Sequence, residues 1–295
     1  MDKVIVTGGA GFIGSHVVDA LIADGYDVHI VDDLSAGKKE CINPKATLYI
    51  EDIRNAEALG PIFSGARYVF HLAALPRVQY SIENPKHTND VNLSGTLHVL
   101  IAAKDAGIER VVFSASSSVY GDQKTSPFTE EARPDPKSPY GLQKLMGEIY
   151  CAHFSEHYGL PTVSLRYFNV YGPRMNPEGA YPLVIGHFLK LKRIGKPLTI
   201  TNDGTQTRDF VHVSDVVRAN LLAATAGAVG HGEIINIGGG NNVSINRIAE
   251  LIGGPIEYIP ARYEPHDTFA DIRKAKNLLG WEPRISIEEG LRGLV

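Results

Sequence analysis

Short runs of apolar, mostly β-branched residues alternate with helix-length segments through the first half of the chain. Two segments have the length of longer helices, one over 92–106 and one from Tyr140 to about residue 158. Strands that alternate with helical segments are typical of βαβ units. The pattern predicts an α/β fold, a Rossmann-type doubly wound parallel sheet, with strands at 4–7, 28–31, 48–50, 68–71, 110–114 and 162–166.

The pattern changes after Gly172 and Pro173. Turn signals such as Asn202-Asp-Gly appear, and the apolar runs become short and irregular. This indicates a first domain over 1–172 and a smaller C-terminal lobe over 173–295. Segments near 213–237 are expected to return to the main sheet.

Composition narrows the classes of protein. With 29 basic and 33 acidic residues the net charge is −4, too little positive charge for a nucleic-acid partner. Two cysteines cannot form a disulfide framework. The first strand begins close to the N-terminus, and no apolar run approaches the length of a membrane span, about 20 residues. We expect a cytoplasmic protein without nucleic-acid or membrane partners.

A glycine-rich segment, Thr7-Gly-Gly-Ala-Gly-Phe-Ile-Gly14, follows the first predicted strand and opens a helix. Its glycines permit a tight turn that brings backbone N–H groups and a helix N-terminus against a pyrophosphate. Asp32 ends the next predicted strand, where a carboxylate can bind ribose hydroxyls and repel a 2′-phosphate. The pattern predicts a dinucleotide site that prefers NAD to NADP; a plain glycine turn with a solvent-facing aspartate is the alternative.

Tyr140 and Lys144 lie four positions apart, on one face of a predicted helix. A nearby ammonium and the positive ring of oxidised NAD would favour the phenolate, which could then accept a proton from a sugar hydroxyl. An incidental surface pair would show the same spacing. A serine-rich stretch, Ser114-Ala-Ser-Ser-Ser118, ends the fifth predicted strand, where side chains face the ligand crevice.

The glycine spacing and Tyr140-Gly-Leu-Gln-Lys144 together resemble the extended short-chain dehydrogenase/reductases. Further segments resemble the NAD-dependent epimerase/dehydratase family, and within it the UDP-glucose and UDP-N-acetylglucosamine 4-epimerases. They are His71-Leu-Ala-Ala74, Asn92-Leu-Ser-Gly-Thr96, Ser138-Pro-Tyr-Gly141, Leu165-Arg-Tyr-Phe-Asn169, Arg208-Asp-Phe-Val-His212 and Ala270-Asp271.

The resemblance implies site residues, with Ser116, Tyr140 and Lys144 as the catalytic set. Cofactor contacts are expected from Gly8, Gly11, Phe12, Ile13, Gly14, Asp32, Asp33, Leu34, Ser35, Gly37, Asp52, Ile53, Leu72, Ala73, Ala74, Asn92, Ser114, Tyr140, Lys144 and Tyr167. Substrate contacts are expected from Ser116, Ser117, Tyr140, Asn169, Val184, Phe188, Arg208, Arg262 and Thr268. For Arg208 a surface ion pair with Asp209 is the alternative, and the sequence around Arg262 departs from the family pattern.

The serine stretch favours one branch of the family. By the resemblance, dehydratases and decarboxylating relatives carry an acid before V-Y-G, which an elimination needs, whereas Ser118 stands there in this chain. This favours 4-epimerisation of a UDP-hexose through a transient 4-keto sugar. By the same resemblance, a small residue at Thr268 would admit an N-acetyl group at C2 of the sugar. A uronate epimerase, another NDP-sugar oxidoreductase and a non-catalytic NAD-binding regulator are the alternatives.

Two expectations concern assembly and metals. The two longer helices are expected to pair across a two-fold axis into a four-helix homodimer interface, although their polar faces also suit a solvated monomer.

His153 and His157 have the spacing of metal ligands on a helix, but no third ligand accompanies them, so we expect no metal site.

Overall fold

The computed structural model describes residues 1–176, 183–260 and 267–295. Its strands are β1 (Lys3–Thr7), β2 (Asp27–Asp32), β3 (Thr47–Ile50), β4 (Ala66–His71), β5 (Arg110–Ser116), β6 (Thr162–Tyr167), β7 (Val170–Tyr171), β8 (Leu198–Thr201), β9 (Thr207–Asp209), β10 (Val211–His212), β11 (His231–Ile237), β12 (Asn242–Ser244), β13 (Ile256–Ile259) and β14 (Asp267–Thr268). Its α-helices are α1 (Phe12–Ala23), α2 (Ala56–Phe63), α3 (Val78–Glu83), α4 (Pro85–Asn89), α5 (Thr96–Asp105), α6 (Pro139–Tyr158), α7 (Val184–Arg193), α8 (Val213–Thr225), α9 (Ile245–Ile252), α10 (Arg273–Leu279) and α11 (Ile287–Arg292).

The central sheet is parallel and has seven strands in the order β11-β6-β5-β4-β1-β2-β3. The chain runs outward from β1 through β2 and β3, then returns to the other side of β1 and continues through β4, β5, β6 and β11. Ligands of such sheets bind in the crevice beyond the carboxyl ends of the strands at this reversal. The predicted Rossmann-type fold is confirmed, and the loops after β1 and β4 flank the crevice.

Helices cover both faces of the sheet, so its strands are apolar on both sides. On one face α1 and α8 contribute buried residues such as Val17 and Val216 to a core with Val4 and Val6 of β1. On the other face α2, α5 and α6 contribute buried residues to a core that includes Ile5 of β1. The strand β11 extends the sheet by pairing with β6.

A second apolar cluster forms beyond Gly172. There α7, α9 and α11 pack around β8, and Phe188, Ile200 and Ile248 are buried at its centre. The strands β8 and β13 pair with each other, and β12, β9 and β14 form a three-stranded sheet. In that sheet Thr268 pairs with Arg208.

The helix predicted over 92–106 has a different outline. The helical stretch starts earlier, at α4, where Pro85 occupies the first turn, a position that suits its fixed φ. A π-helical segment, Asp90–Gly95, then joins α4 to α5. In the part of the chain that the structure describes, no helix has the length and apolarity to cross a membrane.

Candidate active site

The glycine loop joins β1 to α1 and touches the loop after β4. Gly8 has φ +73°, and a Cβ there would lie 2.6 Å from the Ala73 nitrogen. A Cβ on Gly14 would overlap the Gly8 carbonyl, 2.8 Å from its carbon and closer still to its oxygen. Gly11 is the N-cap of α1 and provides no side chain to cap it. The first N–H groups of α1, from Phe12 to Gly14, therefore remain available to an anion.

Asp32 stands at the carboxyl end of β2, beside this loop. Its carboxylate is buried and accepts hydrogen bonds from the backbone N–H groups of Ala10 and Leu34, both at 2.9 Å. Burial raises the pKa of Asp32, and the two hydrogen bonds oppose that effect. Each carboxylate oxygen keeps a second lone pair, so Asp32 can also accept from ribose hydroxyls.

The segment after Asp32 folds back over it. The carboxylate of Asp33 accepts from the N–H of Ser35 at 2.9 Å and from its hydroxyl at 2.6 Å. Leu34 has φ 60°. A Cβ on Gly37 would lie 2.6 Å from that of Ala10 and 2.9 Å from the Asp32 carboxylate. The loop therefore closes tightly around the acidic group, as a dinucleotide site requires.

Asp52 and Ile53, predicted at the adenine edge, differ from each other in their surroundings. The Asp52 carboxylate accepts from the Arg54 guanidinium at 2.9 Å and from its backbone N–H at 2.8 Å, and this holds the pKa of Asp52 low. Ile53 is buried against Gly95. Their contact with adenine stays a prediction.

Asn92 holds the loop that follows β4. Its side-chain oxygen accepts from the Leu75 N–H at 2.7 Å, and its nitrogen donates to the Leu75 carbonyl at 3.1 Å and to Gln143 of α6 at 2.9 Å. In the same loop Leu72 donates to the Thr7 carbonyl and Ala73 to the Thr7 hydroxyl. Asn92 thus shapes the loop around Ala74. Direct contacts of these residues with the cofactor stay predictions.

The helix α6 brings Tyr140 and Lys144 to the crevice. It begins with Pro139 after Ser138, whose hydroxyl accepts from the Gly141 N–H at 3.1 Å, a standard helix cap. A Cβ on Gly147 would lie 2.5 Å from the Phe113 ring, so this glycine lets α6 approach β5 closely.

Tyr140, Lys144 and Ser116 meet at the end of β5. The Tyr140 hydroxyl faces Ser116, a neighbour that lowers the pKa of Tyr140. The Lys144 ammonium donates to the Ser114 carbonyl at 2.6 Å and lies 6.0 Å from the centre of the Tyr140 ring. Both α6 side chains are buried. The alternative of an incidental surface pair is therefore wrong.

The protein's own atoms set the protonation of this pair before any contribution from the cofactor. Burial raises the pKa of Tyr140 to about 12, and the neighbouring Ser116 opposes that rise. Burial lowers the pKa of Lys144 to about 8, against the opposing influence of its neighbours Cys151 and Glu148. The phenolate, expected from the ammonium together with the positive ring of bound NAD, stays a prediction.

The serines after β5 form a short 3₁₀ turn. Ser116 caps it by accepting from the Ser118 N–H at 3.2 Å, and Ser117 lies half-buried inside it. The Ser118 hydroxyl is buried without a hydrogen-bond partner. On the neighbouring strand, Tyr167 is hydrogen-bonded to the Ser114 hydroxyl and donates to Asn220 at 2.9 Å. The place of Ser114 and Tyr167 beside the nicotinamide stays a prediction.

Two predicted substrate residues lie at the strand β9. Asn169 donates to the Asp209 carbonyl at 2.8 Å, and Arg208 donates to the Thr207 carbonyl at 2.8 Å. Asp209 has no exposed surface; its carboxylate accepts from the backbone of Gly239 and Ala270, and burial raises its pKa to about 7. A surface ion pair between Arg208 and Asp209 is therefore wrong.

The remaining residues predicted to bind the substrate differ in how exposed they are. Val184 is half-buried at the start of α7, whereas Phe188 has no exposed surface and packs within the apolar cluster beyond Gly172. Its predicted place beside uracil would require that cluster to open. Thr268 is half-buried beside Arg208, and its hydroxyl is buried without a partner. Arg262 lies outside the described residues.

Histidines take structural positions. His71 lies between the Thr7 hydroxyl at 2.7 Å and the Thr96 hydroxyl at 2.9 Å, and burial lowers its pKa to about 3. The rings of His153 and His157 are 4.4 Å apart. Within residues 1–176, 183–260 and 267–295, no three metal-binding side chains come together.

Several residues of the site were not predicted. Gln143 lies between Tyr140 and Lys144 and links α6 to Asn92 and to Thr88. The Tyr140 N–H donates to the Ser81 hydroxyl at 3.1 Å. Glu148, one turn beyond Lys144, is bound to Arg166 of β6. The helical spacing of Gln143 and Glu148 from Tyr140 was a usable signal, since it places them near the same face.

The fold and site define an NAD-dependent enzyme. The glycine loop, the free N–H groups of α1 and the Asp32 carboxylate fit a dinucleotide, and Tyr140 and Ser116 lie together at the end of β5. The model of the NAD dependent epimerase/dehydratase family matches residues 4–238. The chain belongs to this family, and NAD is its cofactor.

Similar proteins match nearly the whole chain, two of them with solved structures. The UDP-N-acetylglucosamine 4-epimerase of Methanobrevibacter ruminantium M1, solved with UDP-N-acetylmuramic acid, is 39% identical with a TM-score of 0.94, over 99% of this chain and 96% of that one. The UDP-glucose 4-epimerase of Thermotoga maritima, solved with UDP-glucose, is 41% identical with a TM-score of 0.93, over 98% and 96%. The UDP-glucuronate 4-epimerase of Thermodesulfobacterium geofontis is 39% identical over 316 residues, 100% of this chain and 95% of that one.

Proposed function

We propose that this chain is a UDP-sugar 4-epimerase that inverts C4 of a UDP-hexose through a transient 4-keto sugar. The observation that carries the proposal is the burial of Tyr140 and Lys144 against the end of β5, where the Lys144 ammonium donates to the Ser114 carbonyl at 2.6 Å. Ser116 lies beside the Tyr140 hydroxyl at the same place. The three relatives above act as 4-epimerases on different UDP-sugars, which supports the reaction and leaves the sugar to be argued from this chain's residues.

The site residues have definite tasks in this reaction. A bound NAD would supply the hydride acceptor, and later the hydride donor, for C4. Tyr140 accepts the proton of the C4 hydroxyl, and Ser116, beside Tyr140, orients that hydroxyl and donates to the developing oxygen charge. The Lys144 ammonium stabilises the phenolate form of Tyr140. On return, Tyr140 gives the proton back to the oxygen after the keto sugar has presented its other face.

The serine turn favours epimerisation over loss of water. An elimination needs an acid to protonate the departing hydroxide. The turn at Ser116–Ser118 supplies hydroxyl groups only, and the Ser118 hydroxyl is buried. A single group that works in both directions, Tyr140, is sufficient for epimerisation.

Thr268 supports an N-acetylhexosamine as substrate. It is a small residue on β14, directly beside Arg208, the proposed pyrophosphate ligand. Its buried hydroxyl has no protein partner, so a polar group of the sugar could bind there. We infer that the enzyme interconverts UDP-N-acetylglucosamine and UDP-N-acetylgalactosamine as well as UDP-glucose and UDP-galactose. The lobe over 173–295 is proposed to hold the UDP-sugar, with Arg208 and Arg262 on the pyrophosphate.

Product analysis tests this function. The purified protein is incubated separately with UDP-N-acetylglucosamine, UDP-glucose and UDP-glucuronate, and the products are separated by chromatography. Formation of the C4 epimers of the first two supports the proposal. Conversion of UDP-glucuronate alone would show a uronate epimerase, and net NADH formation would show an oxidoreductase.

The Thr268→Tyr variant tests the sugar pocket. The larger ring would occupy the space proposed for the N-acetyl group, so kcat/KM for UDP-N-acetylglucosamine should fall by at least about tenfold. Activity on UDP-glucose should change by less than about threefold, because that sugar carries only a hydroxyl at C2. Equal losses on both sugars would contradict a specific role for Thr268.

We further propose that α5 and α6 form the homodimer interface. Ile101 of α5 and Leu142 and Ile149 of α6 are large apolar residues that are exposed, the last two by 51% and 52%. Leu142 and Ile149 lie seven positions apart, two helical turns along one face. Apolar side chains grouped in this way are typical of an interface.

The Leu142→Asp/Ile149→Asp variant tests this interface. Light scattering on the wild type should give twice the chain mass of 32.0 kDa, and the variant should give the chain mass because a buried carboxylate disfavours association. The control is Ile194→Asp at the end of α7, a site 50% exposed, which should stay dimeric. A monomeric wild type would refute the dimer.

A further inference from the structure

Beneath the catalytic pair lies a fully buried ion pair. The Arg166 guanidinium of β6 binds the Glu148 carboxylate of α6 with two hydrogen bonds, of 2.8 and 2.7 Å. The side chains are 1% and 0% exposed. Taking two charges out of water costs about as much as their attraction returns, so apolar residues would serve stability equally well. The pair therefore calls for a role other than stability.

Its position points to Lys144. Glu148 follows Lys144 by four residues, so the two side chains lie one turn apart on the same face of α6. The Lys144 ammonium donates to the Ser114 carbonyl at 2.6 Å and lies 4.8 Å from the centre of the Phe113 ring. Among the described residues it forms no ion pair of its own. A buried ammonium in such surroundings loses its proton easily unless a negative charge lies nearby.

The other groups around Lys144 supply no negative charge. On β4, His71 is neutral, because burial lowers its pKa to about 3. On α6 itself, burial raises the pKa of Cys151 to about 12 and that of Tyr140 to about 12. On β6, Arg166 is positive and is directed to Glu148. Glu148 is thus the charged acid that acts on Lys144.

Arg166 in turn keeps Glu148 ionised. Burial raises the pKa of Glu148 above its usual range, and the two Arg166 hydrogen bonds limit that rise because they favour the carboxylate form. Arg166 is fixed from its other side, because its guanidinium lies 4.6 Å from the centre of the Tyr120 ring. Tyr120 donates to Asn236 of β11 at 2.7 Å. The Glu148 carboxylate is therefore held by a side chain of the sheet, Arg166, and not by solvent.

We propose that Glu148 is a positioning residue of the reaction, which keeps Lys144 an ammonium facing Tyr140, and that Arg166 keeps Glu148 charged for this purpose. The inference rests on the proposed function in that it assigns Lys144 the task of stabilising the Tyr140 phenolate. It adds Glu148 and Arg166 to the residues that support the reaction, and neither is expected to touch cofactor or substrate.

Two variants separate this role from mere neutralisation of Arg166. Glu148→Gln removes the negative charge but leaves Arg166 buried without a counter-charge, and this variant alone could fail to fold. The double variant Glu148→Gln/Arg166→Gln removes both charges and keeps a neutral amide pair of similar size. The single variant Glu148→Asp, with Arg166 unchanged, keeps the negative charge on a shorter side chain and serves as the conservative variant.

The pH profile of kcat is the first readout. Without Glu148 the pKa of Lys144 falls, so the ammonium is lost at lower pH and the alkaline limb moves to lower pH. In the double variant we expect this limb to move down by about one pH unit and kcat at pH 8 to fall by about fivefold, with KM changed by less than about twofold. The Glu148→Asp variant should keep most of the wild-type activity that the double variant loses. A double variant with wild-type kcat and pH profile would overturn the proposal.

A second readout does not depend on the substrate. The titration of the Lys144 side-chain nitrogen is followed by NMR of ¹⁵N-lysine-labelled protein, with the signal assigned from its absence in Lys144→Met. Its midpoint should be lower in the double variant than in the wild type. If the wild type converts no UDP-sugar but the midpoint moves, the proposed function fails and this inference stands. If the wild type is active and the midpoint does not move, this inference fails alone.

Discussion

Tyr140→Phe will convert UDP-sugars about 10²- to 10⁴-fold more slowly than the wild type, the range typical of losing a general acid–base group. The variant removes the hydroxyl that accepts and returns the C4 proton. Ser116 remains, but a serine hydroxyl is too weakly acidic to exchange the proton in its place. The measurement is kcat by product separation, together with the thermal midpoint and the amount of NAD retained by the purified protein.

The fold should survive this substitution. Ser116 keeps its hydrogen bond from the Ser118 N–H, and the phenylalanine ring fills the same space. Tyr158→Phe at the exposed end of the same helix is the matched control and should retain full activity. Activity of Tyr140→Phe within tenfold of the wild type would show that another residue carries the proton.

Gly14→Ala will lose the cofactor. A Cβ at Gly14 would overlap the Gly8 carbonyl, and that carbonyl belongs to the backbone of the loop. The loop must shift away from the start of α1, so the N–H groups that would hold the pyrophosphate diverge. We expect NAD affinity to fall by at least about 100-fold, which corresponds to about 2.7 kcal/mol. Isothermal titration of cofactor-free protein with NAD measures the change.

Gly60→Ala is the matched control for this prediction. Gly60 also lies within a helix, α2, but a Cβ there would meet nothing within 4 Å. Because Gly60 lies outside the glycine loop, this control should bind NAD normally. Wild-type NAD affinity in Gly14→Ala would mean that the glycine loop does not hold the cofactor in this chain.

The elements of the site that the sequence predicts well are local. The turn between β1 and α1 and the acidic end of β2 each depend on neighbours within a few residues, so glycine spacing and strand pattern were sufficient. The same holds for Tyr140 and Lys144, which one helical turn brings together. Their burial against Ser114 and Ser116 follows from the sheet order, which places the end of β5 beside α6.

What the sequence did not predict depends on contacts between distant segments. Glu148 and Arg166 are 18 positions apart and meet only because α6 packs on β6. The alternative for Arg208 placed Asp209 in a surface ion pair, but the backbone of Gly239 and Ala270 encloses Asp209. The depth at which Tyr140 and Lys144 are buried also depends on such contacts, and the sequence pattern does not give it.

Epimerisation with UDP-glucose carrying deuterium at C4 tests the central claim most directly. The claim is that hydride leaves C4 and returns to the opposite face of the same sugar while Tyr140 handles only the hydroxyl proton. NMR of the product should show UDP-galactose that retains deuterium at C4, even in ordinary water, and no accumulation of NADH. Product with hydrogen at C4 would mean that the carbon exchanges with solvent, and the proposed mechanism would be wrong.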